Sequence, residues 1–219
     1  MDGNRRYAKQ RQLPTVKGHD VGSDKLLQVL HWCLFLGVQE VSVYAFSIDN
    51  FNRTPDEVTY LMDLAAAKFN KMADDEDNFL VNNRVKVTFW GDMSLVPPHV
   101  KAACDKLVSK TSTYTPAVRL NVLFAYSSNF EITRAKKLAL AETGTYEHQD
   151  LKPWLFSCDS LPVDLIVRTS GETRLSDFMI WQISEKTLLA FLDVMWPDLT
   201  VFSLARAIVH FTSFKSHTS

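Results

Sequence analysis

Runs of hydrophobic residues along the chain predict β-strands that are covered on both faces. Four continuous runs and a weaker fifth are rich in β-branched, aromatic and aliphatic residues, with little alternation of polar positions. Continuous runs of this kind are typical of buried parallel strands. The predicted strands are 41–46, 84–90, 119–125, 163–169 and, more weakly, 188–194.

Helical patterns fill the segments between these runs. One helix is predicted from Lys25 to Leu36, because leucines recur there at helical spacing and Gly37 follows as a C-cap. Thr54 and Pro55 are typical of the start of another helix. Further helices are predicted near 97–110, 130–142 and 200–212. This alternation predicts an α/β fold: one domain, residues 1–219, with a mainly parallel central sheet flanked by helices.

Composition and charge narrow the functional classes. The chain has 219 residues, of which 46% are hydrophobic and 22% charged, with a formal net charge of −1. This balance argues against a general nucleic-acid or membrane-surface binder, so any anion site must be built locally from placed arginines. The three cysteines show no CxxC spacing, which argues against a zinc ribbon or a disulfide framework and favours a reduced, cytosol-facing compartment. No apolar run reaches the roughly 18 residues of a membrane span.

Polar residues cluster directly after the predicted strands. In parallel sheets, ligands bind at the carboxyl ends of the strands. Ser47, Asn50 and Arg53 follow the first predicted strand, and Arg168 and Arg174 belong to the segment after the fourth.

The segment RTSGETRLS, residues 168–176, is the most informative of these strand ends. Two guanidinium groups around a tight Ser-Gly turn can converge on one phosphate or diphosphate, and Ser176 adds a hydroxyl donor. A helix predicted from about Leu175 would add backbone N–H groups. The alternative is a surface loop whose arginines pair with Glu172 and Asp177.

The opening MDGNRRYAK indicates a second anion site. Asn4, Arg5 and Arg6 lie close to Asp2, and a carboxylate beside a diphosphate commonly shares a Mg²⁺ ion with it. Gly18, His19 and Gly22 are predicted to form a pliable loop that cradles a phosphate before a helix begins near Ser23. The alternatives are a frayed terminus and a histidine that caps a helix or lies on the surface.

These segments together resemble the cis-prenyltransferases, the undecaprenyl diphosphate synthase family. MDGNRRYAK, GHDVG, YAFSIDNFNR, Gly91-Asp92, RTSGETRLSDFMIWQ and Trp196-Pro197 occur in the order and at the spacings typical of that family, across nearly the whole chain. Arg5-Arg6-Tyr7 makes the chain more similar to the eukaryotic catalytic subunits of the dolichol pathway than to bacterial members. The resemblance implies a Mg²⁺-dependent enzyme that adds isopentenyl diphosphate to an allylic diphosphate, usually farnesyl diphosphate, with the product growing into an apolar tunnel.

The resemblance also implies roles for individual residues. Asp2 would be the Mg²⁺-associated carboxylate essential to catalysis, and Asn4 and Asn50 would be further catalytic residues. Arg53 would support the loop after the first predicted strand. The substrate-binding residues implied for the allylic diphosphate, the reacting centre and the isopentenyl diphosphate are Gly3, Arg5, Arg6, His19, Phe46, Ser47, Arg53, Arg168, Arg174 and Ser176.

Two further patterns leave alternatives open. The first concerns apolar residues of the helices that start near Pro55 and Pro97, for which lining the tunnel and packing in the core are equally favoured. These residues are Leu61, Leu64, Phe69, Val100 and Leu107. The acidic run at 74–77 resembles the DDxxD metal motif of trans-prenyltransferases, but it occurs once and is predicted to be a solvated helix end.

The chain departs from the family pattern at several positions. Thr15 stands where many members have an arginine, for which Arg11 or Lys17 could substitute, and Thr187 stands where single-subunit members have a metal-associated glutamate. No Arg-x-Gly motif follows Arg168. These differences imply a heteromer in which a Nogo-B-receptor-like subunit supplies the motif and a membrane anchor, at the cytoplasmic face of the endoplasmic reticulum.

Three other expectations complete the sequence-based interpretation. The family's strand before MDGN is expected to be missing, since Met1 is the motif's own methionine. A non-catalytic scaffold subunit is the alternative function, which the retained site residues argue against. A nucleotide-binding protein is a third possibility, but the chain lacks both GxxxxGK[ST] and GxGxxG.

Overall fold

The computed structural model describes residues 3–75, 79–113, 115, 117–183 and 186–218. The strands are β1 Glu40–Ser47, β2 Val85–Trp90, β3 Val118–Tyr126, β4 Leu165–Arg168 and β5 Leu188–Phe191. The helices are α1 Asn4–Gln10, α2 Thr15–Phe35, α3 Pro55–Asp74, α4 Phe79–Asn82, α5 Pro98–Ser112, α6 Ser128–Thr143 and α7 Val201–Thr218. Short 3₁₀ turns cover Ile48–Asn52, His148–Trp154 and Trp196–Asp198.

The strands form two parallel sheets. One has the order β1-β3-β2 and the other pairs β4 with β5. All five predicted strands are confirmed, and so is the α/β class. The central sheet expected from the sequence is divided, because no ladder joins β1 to β4 among the described residues.

The main core lies around the three-stranded sheet. β3 is its central strand and is almost entirely buried, as its continuous apolar run predicts. Helices α2, α3 and α5 cover the sheet with Leu30, Phe69 and Leu107, which belong to one hydrophobic cluster with Val87 and Leu120. The carboxyl ends of β1 and β3 therefore have fixed positions.

The helix after β1 begins as predicted. Thr54 is the N-cap of α3 and Pro55 is its first residue, although the Thr54 side chain makes no capping hydrogen bond. Gly37 follows the end of α2 with a φ of 77°, and the Val38 N–H donates to the carbonyl of Cys33 at 2.9 Å. The predicted C-terminal end of this helix is thus confirmed.

The predicted helix-entry loop around His19 is wrong. Gly18, His19 and Gly22 lie inside α2, which begins at Thr15 and not near Ser23 or Lys25. α1 packs directly against this part of α2: a Cβ atom on Gly18 would lie 3.0 Å from the Ala8 Cβ, and one on Gly22 would lie 2.8 Å from the Asn4 Cγ. The two glycines permit close helix packing and do not form a phosphate cradle.

The predicted helix start at Leu175 is also wrong. Residues 176–182 form turns, in which Ser176, Asp177 and Met179 have positive φ angles of 50°, 58° and 52°. Ser128 at the start of α6 holds this conformation, because its N–H donates to the Asp177 carbonyl at 2.9 Å and its Oγ accepts from the Ile180 N–H at 2.8 Å. No helix begins at Leu175 in this described segment, so the N–H donors predicted from such a helix are not supplied.

Candidate active site

Most of the residues predicted for the site line one cavity. It has a volume of about 750 Å³ and lies between β1 and β4, which both line it along their length. Its apolar wall includes Val43, Ile166 and Val167. The predicted site residues that line it are Asn4, His19, Phe46, Ser47, Asn50, Arg53, Arg168, Arg174 and Ser176.

Gly3 places the start of the chain against the segment after β4. It is the N-cap of α1 with a φ of 90°, a left-handed conformation that favours glycine. A Cβ atom at this position would lie 3.2 Å from the Ser170 Cβ and would be even closer to its Oγ. The first and last motifs therefore meet, although Asp2 lies outside the described residues.

Three residues that line the cavity carry a buried polar atom without a hydrogen-bond partner. The atoms are the Gln182 Oε1 and, in the predicted site, the Asn4 Oδ1 and the His19 Nε2. A buried polar group without a partner costs free energy, so such atoms are typical of a site that receives a polar ligand. Asn4 and His19 line the cavity from α1 and α2 respectively.

Glu57 gathers the cations on this side of the cavity. Its Oε1 accepts from the Arg53 Nη1 at 2.8 Å and lies 3.8 Å from the His19 Nε2. Its Oε2 lies 3.8 Å from the Arg5 Nη1. Burial, followed by the nearby Arg53 charge, lowers the pKa of His19 below its usual value of 6.5 despite the opposing effect of Glu57.

The turn after β1 is held by its own side chains. The Ser47 Oγ accepts from the Asp49 N–H at 3.2 Å, and the Asn50 Oδ1 accepts from the Ser47 N–H at 3.1 Å. This reciprocal cap fixes both side chains at the cavity. Phe46 is buried and packs against Phe51, with ring centroids 4.9 Å apart.

The segment after β4 forms a connected polar cluster. The Arg168 Nη1 donates to the Ser176 Oγ at 3.1 Å and also to the carbonyl of Arg174. The Arg174 guanidinium pairs with Glu172, and the other oxygen of Glu172 accepts from the Arg6 Nη2 at 2.9 Å. The alternative in which the arginines of this loop pair with acidic neighbours is thus correct for Arg174 and Glu172.

Asp177 does not pair with these arginines as that alternative supposed. Its Oδ2 accepts instead from the Asn129 N–H at 3.0 Å. It is thereby held at the start of α6.

Glu57 and Glu172 are the organising residues that sequence reasoning did not assign to the site. Both were visible as acids close to the site arginines. Their partners come from distant parts of the chain, such as Arg6 for Glu172, and this pairing is set by tertiary structure.

The two cations that could substitute for an arginine at Thr15 have acidic neighbours. Arg11 is held by Asp198 at 2.8 Å, and the exposed Lys17 lies 3.9 Å from Asp20. The Thr187 Oγ1 donates to the Val163 carbonyl at 2.8 Å. Thr15 is the first residue of α2.

The predicted tunnel wall is mostly core. Phe69, Val100 and Leu107 belong to the main hydrophobic cluster, and of the five apolar residues considered only Leu61 lines the cavity. In the acidic run, Asp74 ends α3 and pairs with Lys106, while Glu76 and Asp77 lie outside the described residues. No group of three His, Cys, Asp or Glu side chains within the described part of the chain is placed to hold a metal ion.

Two relatives of this chain are both named as dehydrodolichyl diphosphate synthase complex subunits. The human dehydrodolichyl diphosphate synthase complex subunit is 42% identical over 218 residues, which are 96% of this chain and 65% of that protein. The corresponding subunit of Schizosaccharomyces pombe is 39% identical over 219 residues, 96% of this chain and 82% of that protein. The chain therefore spans just under two thirds of the length of its human relative.

Solved structures share the fold. A lavandulyl diphosphate synthase from Lavandula x intermedia, in complex with dimethylallyl diphosphate, matches with a TM-score of 0.86 at 24% identity, over 96% of this chain and 92% of that one. A probable undecaprenyl diphosphate synthase from Campylobacter jejuni matches with a TM-score of 0.77 at 25% identity, over 88% and 89%. The family model described as putative undecaprenyl diphosphate synthase matches residues 1–218. The chain belongs to this prenyltransferase family.

Proposed function

We propose that this chain condenses isopentenyl diphosphate onto an allylic diphosphate, farnesyl diphosphate, in repeated cis additions. The product is a polyprenyl diphosphate of the dehydrodolichyl type, used for dolichol and protein glycosylation. The observation that carries the proposal is the meeting of two arginine-bearing segments, around Arg6 and around Arg174, beside one cavity. Two such segments suit two diphosphates, and the apolar helix side chains that line the cavity, such as Leu61, Leu204 and Ile208, suit an isoprenoid chain.

The reaction divides the site into two halves. The allylic C1–O bond breaks with its electron pair leaving on the diphosphate, the isopentenyl double bond attacks C1, and a proton is lost as the new cis double bond forms. Negative charge grows on the leaving diphosphate, and fixed guanidinium and N–H donors stabilise it. The allylic half consists of Gly3, Asn4, Arg5, Arg6 and His19.

The other half holds the nucleophile. Arg168, Arg174 and Ser176 bind the isopentenyl diphosphate, and their mutual hydrogen bonds already bring them together. Ser47 and Asn50 lie at the reacting centre with Phe46, and Arg53 supports their turn through Glu57. Orienting two substrates in one pocket converts a bimolecular encounter into an effectively unimolecular one, which lowers the barrier by several kcal/mol.

The donor set suits a Mg²⁺ ion. The orphaned Asn4 Oδ1 and the diphosphate oxygens are hard oxygen ligands of the kind that Mg²⁺ prefers, and Asp2 would supply the protein carboxylate. When bound, the ion supplies charge neutralisation on the leaving diphosphate.

We also propose a partner and a location. No described helix is long and apolar enough to cross a membrane. The human and fission yeast relatives are named as complex subunits, which supports a heteromer. In this proposal a Nogo-B-receptor-like subunit supplies an Arg-x-Gly motif and brings the chain to the cytoplasmic face of the endoplasmic reticulum.

The test is incorporation of radiolabelled isopentenyl diphosphate into extracted product, with farnesyl diphosphate as primer and with Mg²⁺ present or chelated. We expect incorporation by the chain with its partner, none after chelation, and a loss of at least about 100-fold in the Asp2→Ala variant, because one preorganised electrostatic group is typically worth that much.

Three outcomes would contradict parts of this proposal. Full activity of Asp2→Ala in the complex would remove the catalytic assignment and favour a scaffold subunit. Strong elongation by the purified chain alone would remove the heteromer. Absence of incorporation under all conditions would remove the proposed reaction.

A further inference from the structure

One carboxylate is shared between the two halves of the site. The Glu172 Oε1 accepts from the Arg6 Nη2 at 2.9 Å, and its Oε2 pairs with the Arg174 Nη1. Arg6 lies in α1 and Arg174 lies in the segment after β4. Glu172 therefore bonds one arginine from each end of the chain, with one oxygen for each.

The three side chains differ in exposure. The side chain of Glu172 is 19% exposed, whereas those of Arg6 and Arg174 are 47% and 68% exposed. The carboxylate thus lies at the inner end of the cluster, and both guanidinium groups keep N–H donors that reach solvent. Each guanidinium has five N–H donors in a planar fork, so it can hold Glu172 with one edge and a diphosphate with another.

Glu57 provides a contrast. Its partners Arg5, His19 and Arg53 all belong to the allylic half of the site or to the turn after β1. Glu57 organises one half, while Glu172 connects the two.

A carboxylate in this position has two opposing effects on diphosphates. It fixes the distance between Arg6 and Arg174, and so the relative placement of two bound diphosphates. It also places a negative charge beside every diphosphate that binds, which weakens binding of substrate and of the released pyrophosphate. Because the two arginines beside it are open to solvent, the repulsion between Glu172 and a diphosphate is worth up to about fivefold in a binding constant.

We propose that Glu172 is a positioning residue shared by the two diphosphate sites, which sets the spacing of Arg6 and Arg174 and limits the affinity for product pyrophosphate. The inference rests on the proposed function for its two sites. Retained pyrophosphate would block the next addition, so a weaker hold on it benefits an enzyme that repeats its reaction.

The test compares Glu172→Gln with the wild-type chain, in the assembly that is active. Binding of inorganic pyrophosphate is measured by titration calorimetry, and single additions of isopentenyl diphosphate by rapid quench. We expect the variant to bind pyrophosphate about three to five times more tightly and to react more slowly in the single addition. Damage to the fold would weaken pyrophosphate binding, so a gain in affinity separates the proposed role from a merely structural one.

Two further variants sharpen the comparison. Glu172→Asp keeps the charge but shortens the reach, so we expect wild-type pyrophosphate affinity with a slower single addition. Asp105→Asn removes a carboxylate from the exposed pair with Lys101 on α5, and we expect it to leave both quantities unchanged.

The outcomes separate this inference from the proposed function. Unchanged or weaker pyrophosphate binding by Glu172→Gln would overturn the role of Glu172, whatever the turnover of the wild type. Pyrophosphate binding needs no turnover, so a wild-type chain that fails to incorporate isopentenyl diphosphate contradicts the proposed reaction and still leaves the Glu172 comparison decisive.

Discussion

At the scale of single residues, His19 carries a measurable signature of its surroundings. Its side chain is 10% exposed, and burial and Arg53 lower its pKa, so the folded chain holds it neutral at neutral pH. The unfolded chain has a histidine of ordinary pKa near 6.5. Between the folded pKa and 6.5 the unfolded state binds more protons, and the free energy of unfolding therefore falls as the pH drops through this window.

The corresponding prediction concerns His19→Gln. The glutamine variant lacks this titration, so the melting temperature of the wild type should fall relative to that of the variant as the pH is lowered from 7.5 to 5.5. Differential scanning calorimetry at several pH values measures the difference, and His99→Gln, at an exposed position on α5, is the control for removing one histidine. A difference that stays constant with pH would contradict a lowered pKa.

Most residues that gather at the cavity could be predicted individually from the sequence. Arg168, Arg174 and Ser176 follow a continuous apolar strand, and such a strand ends where ligands bind in parallel sheets. The pairing of these residues was not predictable in the same way. Arg6 and Glu172 are 166 positions apart, and only the tertiary structure brings them together.

At the scale of elements, the packing of α1 on α2 positions the first motif. Gly18 and Gly22 are one turn apart on α2 and face α1, and the Trp196 Nε1 donates to the Gly22 carbonyl at 2.6 Å. A side chain at Gly18 would collide with the backbone carbonyl of Asn4. Because Gly18 and Gly22 carry no side chains, α1 can approach α2 closely enough to place Asn4 at the cavity.

Replacing Gly18 by alanine tests this contact. Alanine favours a helix by about 1 kcal/mol over glycine, but overpacking against backbone costs about 2 to 3 kcal/mol, so we expect a net loss of about 1 to 2 kcal/mol in the free energy of unfolding. Incorporation of isopentenyl diphosphate should fall as well, because Asn4 has to move. Urea unfolding measures the stability, and Gln28→Ala, at an exposed position of the same helix, should stay within about 0.5 kcal/mol of the wild type.

A Gly18→Ala chain as stable as the wild type would contradict the close approach of α1.

These glycines also explain why the start of α2 that is predicted from the sequence is wrong. Gly is the typical residue of a flexible loop and is unfavourable inside a helix, so local propensity points to a loop. Tertiary packing reverses this preference here, whereas the end of α2 at Gly37 obeys local rules and was predicted correctly.

At the scale of the whole molecule, the site draws residues from two sheets. Ser47 ends β1 in the three-stranded sheet with Asn50 in the turn that follows, and Arg168 ends β4 in the two-stranded sheet. Within the described ranges no backbone ladder connects these sheets, and β1 and β4 face each other across the cavity. The order of the strands in space, unlike their positions in the chain, was not predictable from hydrophobic runs, because each run shows only that its strand is covered.

Amide hydrogen exchange should show this division. β3 pairs on both sides from Arg119 to Leu123, so its amides should exchange slowly throughout that stretch, whereas β1 and β4 should show alternating slow and fast amides. Exchange measured by NMR at single residues resolves the alternation. Uniform slow exchange along β1 would mean that its second edge is paired, contrary to the arrangement described.

The facing edges of β1 and β4 give the cavity a mixed solvent character. Many of the side chains that line it are apolar, yet the polar backbone amide groups of β1 and β4 also run along it. A purely hydrocarbon occupant would satisfy the side chains and leave those amide groups unpaired, at a cost for each buried group. The stretch between the two strands therefore favours an occupant that carries its own hydrogen-bonding groups, such as extended polypeptide or ordered water. An isoprenoid chain is better accommodated where helix side chains such as Leu61 line the cavity.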